Sequence, residues 1–264
     1  MIGEAVERIA ANYSASADGY AEFWSPVIRP VGRRLLATLA WDRVSRVVDV
    51  GTGTGALLPD IVGFVPAAQI IGVDCSAGML ALARRPGIRL AAMDAMRLAL
   101  RTGAFDVAVM AFMLFHAPDP RAALAEARRI LRARGALGLV TWMDDSPPPA
   151  GHIWNEELDA YEAWDPSPVP HADDQMDTPA KVTDLLAAAG FTLERAWVEH
   201  VEHQWDVGRF MGLHTRFGAT KRRLDTLDPT RRQAFLTHIG ARMAELGPKA
   251  FLYHGMAICA VAAA

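Results

Sequence analysis

The sequence has 264 residues, of which 52% are hydrophobic and 22% are charged, and its formal net charge is −3. This length is enough for one large α/β domain, and the composition is that of a globular protein with a filled core. The small negative charge gives no global basic field, so we expect neither nucleic acid nor an anionic membrane as a partner. The short basic clusters at residues 33–34 and 221–223 are expected on solvated faces of helices.

The cysteines and histidines do not predict a metal site. Cys75 and Cys259 are the only cysteines, too few for a disulfide framework or a metal motif. His200 and His203 lie three residues apart on a predicted strand, where such side chains face opposite sides and do not readily share an ion.

The sequence also predicts where the protein acts. Residues 1–5 lack a basic segment followed by an apolar run, and no stretch approaches 18 uninterrupted apolar residues. We therefore expect a cytoplasmic protein without a membrane partner, as a monomer or a homodimer.

The first half of the chain alternates between predicted strands and helices. Residues 1–43 are predicted to be helical, because apolar residues recur there at helical spacing. The spacing then predicts strands over residues 47–50, 69–73, 88–92, 105–110 and 136–142, and helices over 56–64, 76–84 and 119–131. This alternation predicts a doubly wound, mostly parallel α/β sheet that is covered on both faces.

The alternation is interrupted after residue 142. Prolines at positions 147–149, 166, 168 and 170 preclude a long regular element, although a short helix near 153–164 fits between them. The pattern then predicts helices over 178–189, 207–217 and 229–246, with strands over 191–205 and 251–262. Gly190 is expected to end the first of these helices.

A glycine-rich loop, Gly51-Thr52-Gly53-Thr54-Gly55, lies between the first strand and the helix that follows it. Glycines at this place allow a backbone to approach a ligand closely. With Ala56 the loop also fits a loose dinucleotide-binding pattern, and Asp74 follows at about the twenty-residue distance of a ribose-binding acid. An NAD-dependent oxidoreductase is therefore an alternative at this point, as is a tight turn without a ligand.

Two acidic residues favour a different ligand. Asp49 stands two residues before the first glycine, where a carboxylate repels a pyrophosphate but suits an ammonium group. S-adenosylmethionine carries an ammonium and a sulfonium group and no phosphate. Asp94 follows the third predicted strand and can accept a hydrogen bond from the amino group of adenine. The alternative is that Asp94 only caps its own loop.

Four segments resemble motifs of the class I S-adenosylmethionine-dependent methyltransferases, of the small-molecule type that includes ubiquinone and menaquinone methyltransferases. Residues 47–55 resemble the first motif, and residues 71–80 the second, in which the acid binds both ribose hydroxyls. Residues 105–120 resemble the fourth-strand motif, and residues 129–137 the helix and turn before the fifth strand. The resemblance implies a Rossmann-like sheet of seven strands with the last one antiparallel, and S-adenosylmethionine as the cofactor. The implied reaction is methyl transfer to an O, N or C atom of a small, partly apolar acceptor.

The resemblance also implies which residues bind the cofactor. They are Tyr13, Tyr20, Asp49, Gly51, Thr52, Gly53, Asp74, Cys75, Met79, Asp94, Ala95, Met96, Met110 and Ala111. Tyr13 and Tyr20 belong to an aromatic segment that closes over the cofactor, and a ring face attracts a sulfonium cation. These tyrosines could equally anchor an N-terminal helix in the core.

His116 is the candidate catalytic residue. It lies just beyond the end of the fourth strand, where ligands bind in open α/β sheets, and some family members use a histidine there as a base. Its ordinary pKa of about 6.5 predicts a rate that rises with pH through that value. A packing role and a cofactor contact are the alternatives.

The chain is expected to form a single methyltransferase domain over residues 1–264. Residues 44–143 would be its cofactor-binding core, residues 1–43 an N-terminal helical lid, and residues 144–177 and 207–247 insertions over the substrate. Two functions besides the oxidoreductase stay open: a binding module for S-adenosylmethionine, and an enzyme that keeps this cofactor without transferring its methyl group.

Overall fold

The computed structural model describes residues 2–169 and 171–264; Met1 and Pro170, the latter one of the prolines noted above, lie outside the described residues. Within that part of the chain, seven strands form one sheet. They are β1 (Arg46–Val50), β2 (Gln69–Asp74), β3 (Arg89–Ala92), β4 (Phe105–Ala111), β5 (Leu131–Asp144), β6 (Thr192–Gln204) and β7 (Leu252–Ala263). Their order is β3-β2-β1-β4-β5-β7-β6, and β7 runs antiparallel to both β5 and β6. The predicted doubly wound, mostly parallel sheet with an antiparallel last strand is thus confirmed.

The burial of the central strands explains why the sequence predicted them. Val47 and Val48 of β1 are fully buried, as are Ala108 and Val109 of β4. Strands that are covered by helices on both faces carry continuous apolar runs instead of alternating ones. β1 pairs with β2 and β4, both in parallel, so the ends of these strands meet at one edge of the sheet.

Eleven α-helices lie in the described residues. They are α1 (Ile2–Ser14), α2 (Ala17–Gly19), α3 (Ser25–Leu36), α4 (Leu58–Phe64), α5 (Ala77–Ala83), α6 (Pro120–Ile130), α7 (Pro149–Ala160), α8 (Pro179–Ala188), α9 (Val207–Arg216), α10 (Gly218–Leu224) and α11 (Pro229–Ala244). Several begin at a residue whose side chain accepts a hydrogen bond from the first turn, as Ser76 does from Met79 and Asp119 from Ala122. None of the described helices is long and apolar enough to cross a membrane.

The N-terminal region is less regular than its apolar spacing predicts. A π-helical turn, Tyr20–Trp24, separates α2 from α3, and the N–H of Ser25 donates to the carbonyl of Tyr20. Such wide turns are rare and are frequently found at functional sites. Hydrophobic spacing does not distinguish a π turn from the α-helix around it, so this turn was not predictable from the sequence.

Two other features differ from the sequence-based expectation. α10 was not predicted, and its basic cluster is not a solvated face. Arg222 forms a double hydrogen bond to Asp165 at 2.9 and 2.6 Å, and Arg223 donates to Asn155 at 3.0 Å. The expectation of solvation was wrong for these two arginines, because their partners come from a segment about sixty residues earlier in the chain. In addition, β5 begins at Leu131, directly after α6, instead of near residue 136.

Candidate functional site

A cavity of about 950 Å³ lies at the edge of the sheet where the parallel strands end. Its floor includes residues that end β1, β2 and β4 (Val50, Asp74 and Ala111), and its roof includes residues of α1 and α9 (Tyr13 and Leu213). Ligands of open α/β sheets bind outside the carboxyl ends of the strands, so the cavity is the candidate functional site.

The glycine loop forms part of the cavity floor. The N–H groups of Gly51 and Thr52 donate to the carbonyl of Val73 at 2.8 and 2.9 Å, which ties the loop to the end of β2. Gly51 has φ +73°, and a Cβ there would lie 2.5 Å from the Cβ of Met113. Gly53 has φ +54° and only the Tyr20 ring, at 3.9 Å, near its missing Cβ. A ligand can therefore approach the backbone at Gly53.

Asp74 presents a carboxylate to the cavity. One of its oxygens accepts a hydrogen bond from the N–H of Gly53 and the other from the N–H of Ser76, both at 2.8 Å. Burial raises its pKa, while these backbone hydrogen bonds oppose the rise. Each carboxylate oxygen has two lone pairs, so both oxygens can still accept hydrogen bonds from a ligand.

Asp49, which precedes the loop, and Thr52, which belongs to it, do not line the cavity. Asp49 is 3% exposed, and one of its oxygens accepts a hydrogen bond from the Thr52 hydroxyl at 2.7 Å. Burial raises the pKa of Asp49 to about 6. The pair holds the loop in shape and leaves a negative charge close below it at neutral pH.

Asp94 lines the cavity and also caps its own loop, because its Oδ1 accepts a hydrogen bond from the N–H of Met96 at 2.8 Å. The two roles weighed for Asp94 are therefore compatible in one geometry. Met96 does not line the cavity, and neither does Met110, which is fully buried in β4.

The other predicted cofactor residues lie together in the cavity wall. They are Tyr13, Tyr20, Gly51, Gly53, Cys75, Met79, Ala95 and Ala111, alongside Asp74 and Asp94. Burial raises the pKa of Cys75 to about 12, so this residue is a neutral thiol.

His116 forms a partly buried, hydrogen-bonded pair with Tyr13. His116 ends the 3₁₀ turn after β4, and its Nε2 lies 2.7 Å from the hydroxyl oxygen of Tyr13 on α1. Burial, with a smaller contribution from His171, whose ring lies 4.7 Å away, lowers the pKa of His116 to about 3. The expectation that His116 titrates near 6.5 is therefore wrong. The imidazole is neutral at physiological pH, and burial holds the pKa of Tyr13 well above its usual range.

The cavity wall also combines aromatic rings with acids that the sequence analysis did not assign to a site. The Phe112 and Trp142 rings lie 4.6 Å apart, and Trp24 lies 6.2 Å from Trp142. Asp144 and Asp145 follow at the end of β5, and both line the cavity. The signal that could have found them is the one that selected His116, a polar residue at the carboxyl end of a central parallel strand.

Phe112 has an unusual backbone. Its φ is +55°, uncommon for a residue with a side chain, and its N–H donates to the carbonyl of Val140 at 2.8 Å. This bond to β5 holds the conformation, and strained residues of this kind cluster at ligand sites.

The chain resembles known methyltransferases over most of its length. Residues 48–139 match a family model described as a methyltransferase domain. A malonyl-[acyl-carrier protein] O-methyltransferase of Geobacter sulfurreducens is 32% identical over 229 residues, which cover 83% of this chain and 80% of that protein. A demethylmenaquinone methyltransferase of Thermus thermophilus is 29% identical over 183 residues, 61% of this chain and 81% of that protein. Among solved structures, a Bacillus halodurans protein assigned as a methyltransferase has a TM-score of 0.55 at 18% identity over 88% of this chain and 97% of that one, and so shares its fold.

Proposed function

This chain belongs to the class I S-adenosylmethionine-dependent methyltransferases, and from that premise we propose that its cavity holds the cofactor and a small, partly apolar acceptor side by side. The observation that carries the proposal is the Asp74 carboxylate. Two backbone N–H groups fix it at the end of β2, and it faces the cavity beside the open backbone of Gly53. A carboxylate so placed suits the two hydroxyl groups of a ribose.

The charges of the cavity suit this cofactor better than a dinucleotide. The cavity wall contains one residue among the lysines and arginines, Arg222, and Asp165 neutralises it at 2.6 Å. A pyrophosphate would therefore face Asp74 and Asp94, with Asp49 close below, and no free cation in the described wall. The ammonium and sulfonium groups of S-adenosylmethionine are attracted by the same carboxylates. The residues present thus fit S-adenosylmethionine.

We assign Asp74 to the ribose, Asp94 to the adenine amino group, and the backbone at Gly51 and Gly53 to the amino-acid half of the cofactor. When bound, S-adenosylmethionine supplies a methyl group that is activated by the positive sulfur. The transfer is an in-line displacement, so the main task of the protein is to align the acceptor with that methyl group and to exclude water.

Tyr13 and His116 would act on the acceptor side. A neutral His116 can hold or accept the proton of an acceptor hydroxyl through a ring nitrogen. With a pKa of about 3 it is a weak base in the closed cavity, so orientation of the acceptor contributes at least as much as proton removal. Tyr13 connects this histidine to α1, which is the roof of the site.

We further propose that residues 1–43, 144–177 and 207–247 form a lid on a core of residues 44–143. The side chains of Arg8 and Asn12 on α1 donate to the carbonyls of Pro168 and Ser167 at 3.2 and 3.0 Å. These hydrogen bonds join two segments of the lid. The bonds from α1 to the core, which would break when the lid opens, include those between Tyr13 and Nε2 of His116 at 2.7 Å and between the hydroxyls of Ser14 and Ser76 at 2.8 Å. We also propose that the protein acts in the cytoplasm on a small molecule, as a monomer or a homodimer. Its small negative net charge provides no basic field for nucleic acid.

The experiment is a calorimetric titration of the whole chain with S-adenosylhomocysteine and, separately, with NAD. We expect one equivalent of S-adenosylhomocysteine to bind and NAD not to bind. Asp74→Asn should weaken binding, whereas Asp60→Asn is a matched control, because Asp60 pairs with Arg29 and Arg33 away from the cavity wall. Binding of NAD in place of S-adenosylhomocysteine would overturn the proposal.

A further inference from the structure

We propose that the acceptor carries a protonated amine, which binds against Asp144 and Asp145 at the end of β5. The inference rests on the proposed function, since it identifies the class of acceptor that the same cavity takes. The reaction requires an acceptor in this cavity, and the side chains of the cavity wall determine which class of acceptor binds.

Asp144 and Asp145 have hydrogen-bond partners but no cationic ones. Oδ1 of Asp144 accepts from the N–H of Ser146 at 3.0 Å and from its hydroxyl at 2.6 Å. Asp145 accepts a hydrogen bond from the hydroxyl of Tyr253. Neither acid forms an ion pair with a lysine or arginine of residues 2–169 and 171–264.

Two other acids of the same wall are paired with cations. Asp165 pairs with Arg222 at 2.6 Å, and Asp177 pairs with Lys181 at 2.7 Å. Asp74 and Asp94 have no such partner among the described residues, but the proposed function assigns them to the cofactor. Asp144 and Asp145 are therefore wall acids that neither a described lysine or arginine nor the cofactor compensates.

Asp145 lies among like charges. Asp145 is exposed to the cavity, but the surrounding protein desolvates it. This burial, together with the charges of Asp173 and Asp144, raises the pKa of Asp145 to about 6 against the opposing effect of the hydrogen bond from Tyr253. The carboxylates of Asp144, Asp145 and Asp173 repel one another in the cavity, and a bound ammonium group would reduce this repulsion.

Aromatic residues of the same cavity lie close to the partner of Asp145. Trp24 and Trp142 line the cavity, and the ring of Tyr253, whose hydroxyl donates to Asp145, lies 5.3 Å from that of Trp24 and 6.5 Å from that of Trp142. Aromatic rings attract cations and also pack against apolar carbon. An amine with an apolar body suits both the carboxylates and the aromatic rings of this wall, whereas the carboxylate group of an acceptor would be repelled by Asp144 and Asp145.

A protonated amine has no free electron pair and cannot accept a methyl group. The amine at Asp144 and Asp145 is therefore an anchor, and the methylated atom is a different one. The anchor would hold that atom toward the pair formed by Tyr13 and His116 and toward the cofactor.

The test uses three probes of similar shape and different charge: 2-phenylethylamine, 2-phenylethanol and 3-phenylpropanoate. Each is titrated by calorimetry into the full chain saturated with S-adenosylhomocysteine, at neutral pH. We expect the amine to bind roughly tenfold or more tightly than the alcohol, and the carboxylate to bind most weakly. The same order should hold for the larger pair tryptamine and indole-3-propanoate.

Variants test whether Asp145 causes the preference for amines. Asp145→Asn should reduce amine affinity by roughly tenfold and leave alcohol affinity unchanged. Asp174→Asn is the matched control, since it removes one exposed charge near Asp173 that does not line the cavity. The amide oxygen introduced by Asp145→Asn can still accept the Tyr253 hydrogen bond, and the melting temperature checks that the variant folds. If the variant does not fold, the amine and the alcohol are titrated into the wild-type protein at high salt instead. We then expect the preference for the amine to be lost.

The outcomes separate the two proposals. If S-adenosylhomocysteine does not bind, the proposed function fails. If it binds while the amines fail to bind, or bind no more tightly than the carboxylates, only the amine anchor is overturned.

Discussion

The neutral, buried state of His116 has a consequence for stability that can be measured without knowing the acceptor. The perturbation is a change of pH from 8 to 5, applied to the wild-type protein and to His116→Gln, which can still bond to Tyr13 but does not titrate. In the folded protein burial lowers the pKa of His116 to about 3, whereas the unfolded chain takes up the proton near 6.5. The unfolded state therefore binds more protons below pH 6.5, and stability falls as the pH falls.

The size of the effect follows from these two values. Each pH unit below 6.5 costs about 1.36 kcal/mol, so the wild-type protein should lose about 2 kcal/mol by pH 5 from this residue alone. The loss continues until the folded histidine also protonates, near pH 3. Asp49 and Asp145, whose pKa values are raised to about 6, stabilise the folded state as the pH falls. Both acids are present in wild type and variant, so the difference between the two proteins isolates His116.

The assay is urea unfolding of both proteins at pH 5, 6, 7 and 8. We expect the free energy of unfolding of His116→Gln relative to wild type to increase by about 2 kcal/mol between pH 8 and pH 5. A difference that stays constant over this range would mean that His116 is accessible to protons in the folded state, and the reasoning about its burial would be refuted.

Further predictions concern the cofactor and the pair at the roof of the site. Asp74→Ala should weaken S-adenosylhomocysteine binding by roughly 1.5–3 kcal/mol in calorimetry, the range for a hydrogen bond to a charged group; equal affinity would remove Asp74 from the ribose. Asp94→Ala should weaken the same ligand and also lower the melting temperature of the free protein slightly, because the bond to the N–H of Met96 is lost. Tyr13→Phe leaves Nε2 of His116 without its partner and should cost about 1–3 kcal/mol of unfolding free energy; unchanged urea midpoints would contradict the pair. Once an acceptor is known, His116→Ala should lower turnover roughly 10²–10⁴-fold if His116 removes a proton, and much less if alignment alone suffices.

The fold was predictable because its signals are local. The apolar runs of β1 and β4, the caps Ser76 and Asp119, and the positive φ of Gly190 each reflect a few neighbouring residues. The cofactor side of the cavity was predictable from the sequence because Gly53 and Asp74 stand at the carboxyl ends of β1 and β2, which are successive, paired parallel strands.

The acceptor side depends on contacts between residues distant in sequence, which no local pattern contains. Tyr13 meets His116 across 103 residues, and Asp145 meets Tyr253 across 108. Burial by these distant elements lowers the pKa of His116 to about 3, so the ordinary histidine pKa did not predict its protonation in the folded protein. The sequence shows that Asp49 stands directly before the glycine loop. It does not show that this side chain is buried, because burial depends on packing by other elements.

The measurement that tests the central claim most directly is a crystal structure of the chain with S-adenosylhomocysteine. We predict both ribose hydroxyls within hydrogen-bonding distance of the Asp74 carboxylate, the adenine amino group at Asp94, and the sulfur directed toward the chamber between Phe112 and His116. A ligand bound elsewhere, or a ribose that does not contact Asp74, would contradict the account.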